Sequence, residues 1–326
     1  MIIASAFKNQ GKKADLRVYD FAQLLHSPQR ISLNSGAHRP PLVLYYAALE
    51  LMKGKKFMGL SKSIPNIFHF IYFYANPDQE FSLPDYICIN SARLLNNPQK
   101  IYFYSNRIPS GKYWEKISRY AEFVKVEPPE NVFGNKLYHL AHKSDVLRMQ
   151  LLKEYGGIYL DLDQICKKPF TPFLKYDFVM GKQGKWRLPP LFKSIPYLGA
   201  YIMGLGNGVI LSNKDSEFLK LWFDEYRYFR SRGIDKYWAE MSVIKPLELS
   251  KKYPELIHVE PYGSFYYPLY YSSHIKKLFE NNLDFPNAYC HHLWHGASYD
   301  KYLKNITEEE IININTTYNT IARKYL

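Results

Sequence analysis

The chain has 326 residues, 47% of them hydrophobic and 17% aromatic, and a formal net charge of +13. That length holds one large α/β domain or one domain with an appendage, and that apolar content excludes a disordered chain. No apolar run reaches the roughly 18 residues of a membrane-spanning helix, and no helix-turn-helix, zinc-finger or RNA-binding signature accompanies the charge, so nucleic acid is set aside and anionic lipid or a phosphorylated small molecule remains as the partner class.

Residues 1–62 read as a helical, basic N-terminal appendage to a domain spanning 63–326. Two amphipathic runs, "YDFAQLLHS" and "PLVLYYAALELMKGKKF", flank a turn marked by Gly36 and Pro40-Pro41. Lys8, Lys12, Lys13, Arg17, Arg30, Arg39, Lys53, Lys55, Lys56 and Lys62 stand there against Asp15, Asp20 and Glu50 alone. Such a surface suits peripheral contact with an anionic membrane. The N-terminus turns polar too soon for a signal peptide. Cys88, Cys166 and Cys290 are odd in number and too far apart for a metal or redox motif, so they read as buried thiols of a reducing compartment. A cytoplasmic protein is the expectation.

From Ile64 onward short apolar, aromatic-rich runs alternate with helical patterns. The strand candidates are "NIFHFIYFY", "KIYFYS", "FVKVEP", "GIYLDLD", "DFVMG", "GVILS" and "IHVEP". The main helical patterns are "GNKLYHLAHKSDVLRMQLLKEY", helical from about Lys136 to Glu154, and "KDSEFLKLWFDEYRYFRS". Alternation of this kind predicts an α/β fold with a mostly parallel sheet covered on both faces.

The stretch "YGGIYLDLDQICKKPF" (155–170) places two aspartates at the end of an apolar strand. Residues two apart in a strand share a face, so Asp161 and Asp163 project together at the carboxyl end of the sheet, where open α/β sheets bind ligands. Two adjacent carboxylates repel unless something neutralises them, and a hard divalent cation, Mn²⁺ or Mg²⁺, is the simplest neutraliser. Removing the charge of Asp163 should then leave stability unchanged or raised. Gly156 is placed to end the preceding helix in a left-handed conformation. On that helix Asp145 and Arg148, three residues apart, share a face and form either an exposed ion pair or a grip on a polyhydroxyl ligand.

These residues carry a family resemblance. Ser144-Asp145-Val-Leu-Arg148, Gly156-Gly157-Ile-Tyr159 and Asp161-Leu-Asp163 resemble the core signature of sugar transferases with a DXD sugar-binding motif, a group that includes initiating α-1,6-mannosyltransferases, α-1,4-galactosyltransferases and bacterial polysaccharide transferases. "SIPNIFHFIYF" (63–73) resembles their opening strand, "GNGVILS" (206–212) the strand whose Asn faces the donor sugar, and "HHLWHGASYDKYL" (291–303) the His-x-Trp segment that closes the site. The resemblance implies a GT-A-type nucleotide-sugar-binding fold and a metal-dependent, retaining hexosyltransferase acting on a nucleotide-sugar donor, a UDP-sugar ahead of a GDP-sugar. The acceptor class would be a carbohydrate, a glycolipid or a protein, and the setting polysaccharide or glycolipid synthesis. By the same resemblance Asp163 holds the cation, Asp161 contacts the donor and touches the cation, and His292 completes the metal set ahead of His295. Asp145, Arg148 and Tyr159 hold the donor, and Asn207, after a Gly-rich turn, either serves that turn or, by the resemblance, lies near the reacting carbon. His69 and Tyr72, set between two aromatic runs on the first strand, either pack in the core or contact the nucleotide base. Where many relatives carry Gly-Pro, this chain has "AEMSVIKPLEL", so their acceptor contacts do not transfer there.

Other readings keep the Asp-x-Asp. A haloacid-dehalogenase-type phosphatase needs a Thr or Val–Leu continuation and a downstream acidic pair with a lysine, whereas here Gln164-Ile165-Cys166 follows and no paired aspartates occur downstream. A transferase effector directed at a host protein, or a catalytically inactive sugar-binding or membrane adaptor, would keep the fold.

Overall fold

The computed structural model describes residues 63–76, 78–184 and 204–326. The helical appendage expected over 1–62 lies outside the described residues. Within them, the seven runs rich in β-branched and aromatic residues all become strands of one sheet. In chain order the strands are β1 (Ile67–Ile71), β2 (Lys100–Ser105), β3 (Glu122–Lys125), β4 (Asn131–Val132), β5 (Asn135–Lys136), β6 (Gly157–Leu160), β7 (Gln164–Cys166), β8 (Phe178–Lys182), β9 (Leu205–Ser212), β10 (His258–Glu260) and β11 (Cys290–His292). The main sheet has the order β10-β8-β9-β6-β1-β2-β3. Six of its strands run one way and β9 runs against them, between β8 and β6. The α/β class with a mostly parallel sheet is therefore as predicted. Two small antiparallel pairs, β4–β5 and β7–β11, were not foreseen.

Both faces of the sheet are buried, as parallel strands require. Phe68, Phe70, Ile158, Leu160 and Val209 face α1 (Leu83–Asn96) and the C-terminal segments. Ile71, Tyr159, Met180 and Ile210 face α2 (Leu140–Tyr155) and α3 (Glu217–Glu225). Each fully buried Phe contributes about 2–3 kcal/mol through lost apolar hydration. Ser82 caps α1 in a reciprocal box with Asp85, and Ser216 caps α3 by accepting from the Leu219 N–H. The three thiols are free and buried. No helix among the described residues is long and apolar enough to cross a membrane.

Two local expectations are corrected. The helix predicted from Lys136 begins at Leu140, because residues 131–136 close into the β4–β5 hairpin through Phe133 (φ 48°) and Gly134 (φ 84°). The His139 ring then caps α2, its Nδ1 accepting from the Ala141 N–H at 3.1 Å. The second concerns the acids themselves. Strand β6 ends at Leu160, and residues 161–163 form a turn, so Asp161 and Asp163 do not share a face by strand alternation.

Gly156 does end α2 with positive φ (67°), but its ψ of −167° swings the chain straight into β6. Gly157 follows at φ 109°, and a Cβ there would lie 2.5 Å from the Ile67 carbonyl oxygen and 3.0 Å from His69 Nε2. The glycine pair thus sets the tight helix-to-strand return that positions everything after it. Gly157→Ala should lower unfolding free energy by about 2–4 kcal/mol, read as a reduced urea midpoint at constant m-value.

Candidate active site

The carboxyl ends of the parallel strands border a cavity of about 780 Å³. Helix α2 brings Asp145 and Arg148 to it, the turn after β6 brings Asp161 and Asp163, the start of β9 brings Asn207 and Gly208, and the segment after β7's partner β11 brings Trp294 and His295. The helix pair is not the exposed ion pair that i,i+3 spacing alone allows, since both residues are buried.

Arg148 is the hub. One guanidinium nitrogen donates to Asp161 Oδ1 (3.2 Å) and to the Asn207 carbonyl (2.8 Å), and the other lies 3.0 Å from Asp145 Oδ1. Its guanidinium also stands 4.3 Å over the Tyr159 ring, whose hydroxyl donates to Asp161 Oδ1 at 2.7 Å. Asn207 Nδ2 donates to Asp145 Oδ1 at 2.7 Å. Burial works against the Arg148 charge, but Tyr159, Asp161 and Asp145 outweigh it and raise its pKa. Burial also pushes the Asp145 carboxyl up, with Arg148 opposing.

Asp163 is held separately. Its Oδ1 lies 3.0 Å from His292 Nε2, and its Oδ2 accepts the His295 backbone N–H at 2.9 Å. Burial would raise this carboxyl, yet the His292 charge and hydrogen bond, with His295, hold it well below the usual carboxylate range. His292 shows the reciprocal effect, because burial would lower its pKa but Asp163 raises it above the ordinary histidine value. Ligand atoms of Asp161, Asp163 and His292 all lie within 4.8 Å of one another. Two carboxylate oxygens and one imidazole nitrogen form a mostly hard donor set that fits Mn²⁺ or Mg²⁺ and suits soft-metal chemistry poorly. The ring of His292 belongs to this cluster, whereas the hydrogen bond of His295 to Asp163 comes from its main chain.

The local geometry shows how a turn can converge the acids. The Asp161 N–H bonds the Gly208 carbonyl (2.8 Å), and the Leu293 N–H bonds the Asp163 carbonyl (2.8 Å). A Cβ on Gly208 would fall 2.5 Å from Asp161 Oδ2, and one on Gly206 would fall 2.3 Å from the Tyr266 ring. The two glycines of "GNG" leave space for site side chains, a signal the sequence carried.

Of the residues proposed from sequence, Asp145, Arg148, Tyr159, Asp161, Asp163, Asn207 and His292 come together. His69 and Tyr72 lie apart from them. His69 is fully buried, with Nε2 at 2.8 Å from the Gly156 carbonyl and Nδ1 at 3.1 Å from the Tyr104 hydroxyl. Burial pushes its pKa down to about 4, only partly offset by the Gly156 bond, so it ties β1 to the glycine turn as a neutral ring. Tyr72 sits half-buried just past β1 and accepts from Gln79 Nε2 at 2.7 Å. Sequence reasoning passed over Trp238 and gave Trp294 no separate role, although both line the cavity. Trp294 adopts a left-handed backbone (φ 58°), stacks 3.8 Å from His292 and anchors its Nε1–H on the Pro268 carbonyl.

A family model described as a glycosyltransferase sugar-binding region containing a DXD motif matches residues 52–179. Glucan organizing enzyme 1 of Cryptococcus neoformans is 30% identical over 271 residues, covering 81% of this chain and 71% of that protein. Mannosyl phosphorylinositol ceramide synthase SUR1 of Saccharomyces cerevisiae is 35% identical over 78 residues, which are 23% of this chain and 20% of that protein. The solved glycosyltransferase GlyE of Streptococcus pneumoniae aligns over 80% of this chain and 60% of its own, at 14% identity and a TM-score of 0.43.

The Asp163–His292 pair changes the stability expected of substitutions here. A group with a depressed pKa stabilises above its unfolded value, and one with a raised pKa stabilises below its unfolded value, so the pair contributes most between about pH 4 and 6.5. Its contribution fades as pH climbs through the raised His292 pKa, or falls toward the depressed Asp163 value. In metal-free protein His292→Ala should cost about 1–3 kcal/mol near pH 6 and less near pH 9. Asp163→Asn should likewise destabilise rather than stabilise. Thermal or urea unfolding across that range checks both.

Proposed function

The chain belongs to the glycosyltransferases whose sugar-binding region contains a DXD motif, and we propose that it transfers a hexose from a nucleotide-diphosphate sugar to an acceptor hydroxyl with a divalent cation at Asp161, Asp163 and His292. The observation that carries this reading is the convergence of that donor set with the Arg148–Asp145–Asn207 network in one cavity. A GT-A-type assignment is supported by family membership together with the acids' place at the carboxyl edge of a mostly parallel sheet.

Each part of the network has a task. The Asn207 amide and Arg148 both occupy Asp145 Oδ1, which leaves Oδ2 to accept from a sugar hydroxyl. Arg148 and Tyr159 together fix Asp161 Oδ1 and present Oδ2 toward the donor. A bound Mn²⁺ or Mg²⁺ would offset the charge that develops on the departing nucleoside diphosphate. Tyr72, at the carboxyl end of β1, is assigned to the nucleotide base in preference to His69, whose ring nitrogens are engaged. A UDP-sugar remains the favoured donor.

Retention of anomeric configuration is the stereochemical reading. The described carboxylates lining the cavity are Asp145, Asp161 and Asp163, and each is engaged by a cationic partner. That favours front-face attack without a covalent glycosyl-enzyme. The names of the relatives speak of a glucan and of mannosyl phosphorylinositol ceramide, and a glycan or glycolipid acceptor is the class they favour here over a protein.

A panel of UDP- and GDP-sugars with Mn²⁺, read as hydrolysis and thermal shift, tests the donor, and full turnover in excess chelator would overturn the metal assignment. Asp163→Asn should reduce turnover by about 10³-fold or more with the cation concentration held constant. His292→Ala should weaken Mn²⁺ and nucleoside diphosphate binding more than His295→Ala, because only the His292 ring joins the donor set. A cation must displace the proton of His292, so Mn²⁺ affinity should rise from pH 6 to pH 8 with proton release in calorimetry, and His292→Ala should remove that dependence.

A further inference from the structure

Two neighbouring segments, the hairpin-to-helix stretch 131–140 and the loop 226–238, reach the cavity's edge through His139 and Trp238. His139 and Trp238, both cavity residues, pack edge-on at 4.7 Å, and Asn135 Nδ2 donates to the Arg227 carbonyl at 3.0 Å. Arg227 also stacks on Phe133 at 4.2 Å. These two contacting segments expose an unusual share of large apolar side chains. Ile234 is 81% exposed, Tyr228 71%, Tyr138 53%, Phe133 40% and Leu140 38%. These five are close to half of the twelve large hydrophobic residues exposed among the described residues, although the two segments make up only 23 positions. Exposed aromatic and aliphatic side chains concentrated in one place mark a contact surface.

The charges around them select the partner. The two segments hold Lys136, Arg227, Arg230, Arg232 and Lys236 against one acid, Asp235. Asp235 faces its own loop, accepting from the Arg232 and Tyr237 N–H groups and from the Ser231 hydroxyl. Glu240 takes Arg230 in a two-pronged pair, and Asp224 lies 3.6 Å from Arg227. Arg232 and Lys236 have no ion pair within 4 Å among the described residues, and Lys136 meets only the exposed Glu130, which Lys143 already pairs. Tyrosines and an isoleucine interleaved with lysine and arginine suit the headgroup boundary of an anionic bilayer, where rings and aliphatic chains enter and cations stay at the phosphates.

We propose that this rim is the lipid-docking face of the protein and seats the mouth of the cavity on an anionic membrane surface. The inference extends the glycolipid reading of the acceptor, because a bilayer against this rim delivers a lipid-linked hydroxyl directly past His139 and Trp238. It is separate from any role of residues 1–62, and it predicts substitutions that leave those residues untouched.

The test uses the full-length chain in sedimentation with phosphatidylcholine vesicles, with and without about 30 mol% phosphatidylserine. Wild-type protein should bind the anionic vesicles in preference to the neutral ones and lose binding at high salt. The pair Tyr228→Asp with Ile234→Asp, and separately the pair Arg232→Ser with Lys236→Ser, should each lower the partition coefficient about tenfold. Unchanged melting temperature and unchanged Mn²⁺-dependent nucleoside diphosphate binding would show that the fold and the cavity are intact in both pairs. Wild-type binding to anionic vesicles that neither pair reduces would overturn the proposal, as would no vesicle binding at all. A concentration-dependent dimer that Ile234→Asp dissociates would also overturn it, by assigning the rim to a second copy of the chain. None of these readings requires sugar transfer, so failure of the docking face and failure of the transferase assignment are distinguishable.

Discussion

A buried guanidinium holds the candidate site together. Arg148 leaves water to sit between two carboxylates, a main-chain carbonyl and an aromatic ring, and it reaches three separate elements: its own helix α2, the turn after β6 and the start of β9. A charge placed there unpaired would cost several kcal/mol, and each acid placed there without it would cost a similar amount. The arrangement is stable only as a set, which makes the relative position of three elements depend on one side chain. The same closure satisfies the two acids that, in the proposed reaction, a sugar hydroxyl would address.

The sheet explains why the set can form. Parallel strands β1 and β6 end at one edge, and the turn at Gly156–Gly157, at the start of β6, folds α2 back along the sheet so that its Asp145 and Arg148 reach that edge. The antiparallel strand β9 enters from the opposite direction, so its N-terminal residues, Asn207 and Gly208, lie beside the C-terminal residues of β6. A strand running the other way would have delivered Ser212 there in place of Asn207. The small β7–β11 ladder then carries the His292–Trp294 segment over the acids, pairing Gln164 with His292.

The sequence revealed the main sheet well because every one of its strands is a run of apolar and aromatic residues bounded by turn formers, and burial on both faces follows from that pattern. It hid β7 and β11 because each has three residues and their partners lie over a hundred positions apart, beyond the reach of any local period. The acids illustrate a correct grouping reached by a local route that the structure replaces. Strand alternation predicted that Asp161 and Asp163 converge, and they do, but through a turn fastened to Gly208 and Leu293. His69 resolves to the core-packing side of its two sequence readings. Its ring lies beside a glycine carbonyl that only the folded chain brings near. Trp238 had no signal at all, since its place on the cavity wall depends on contact with His139 from a distant segment.

The hydrogen-bonded His292–Asp163 pair has one more consequence. A protonated imidazole beside the carboxylate supplies, in the metal-free protein, part of the positive charge that a divalent cation would supply in the loaded one. That charge needs no cation to be present, in contrast to small metal-clasped domains whose folding waits on their ion. For the metal-dependent transferase proposed above, folding and loading would then be separate events, and cation supply would govern activity without governing the fold.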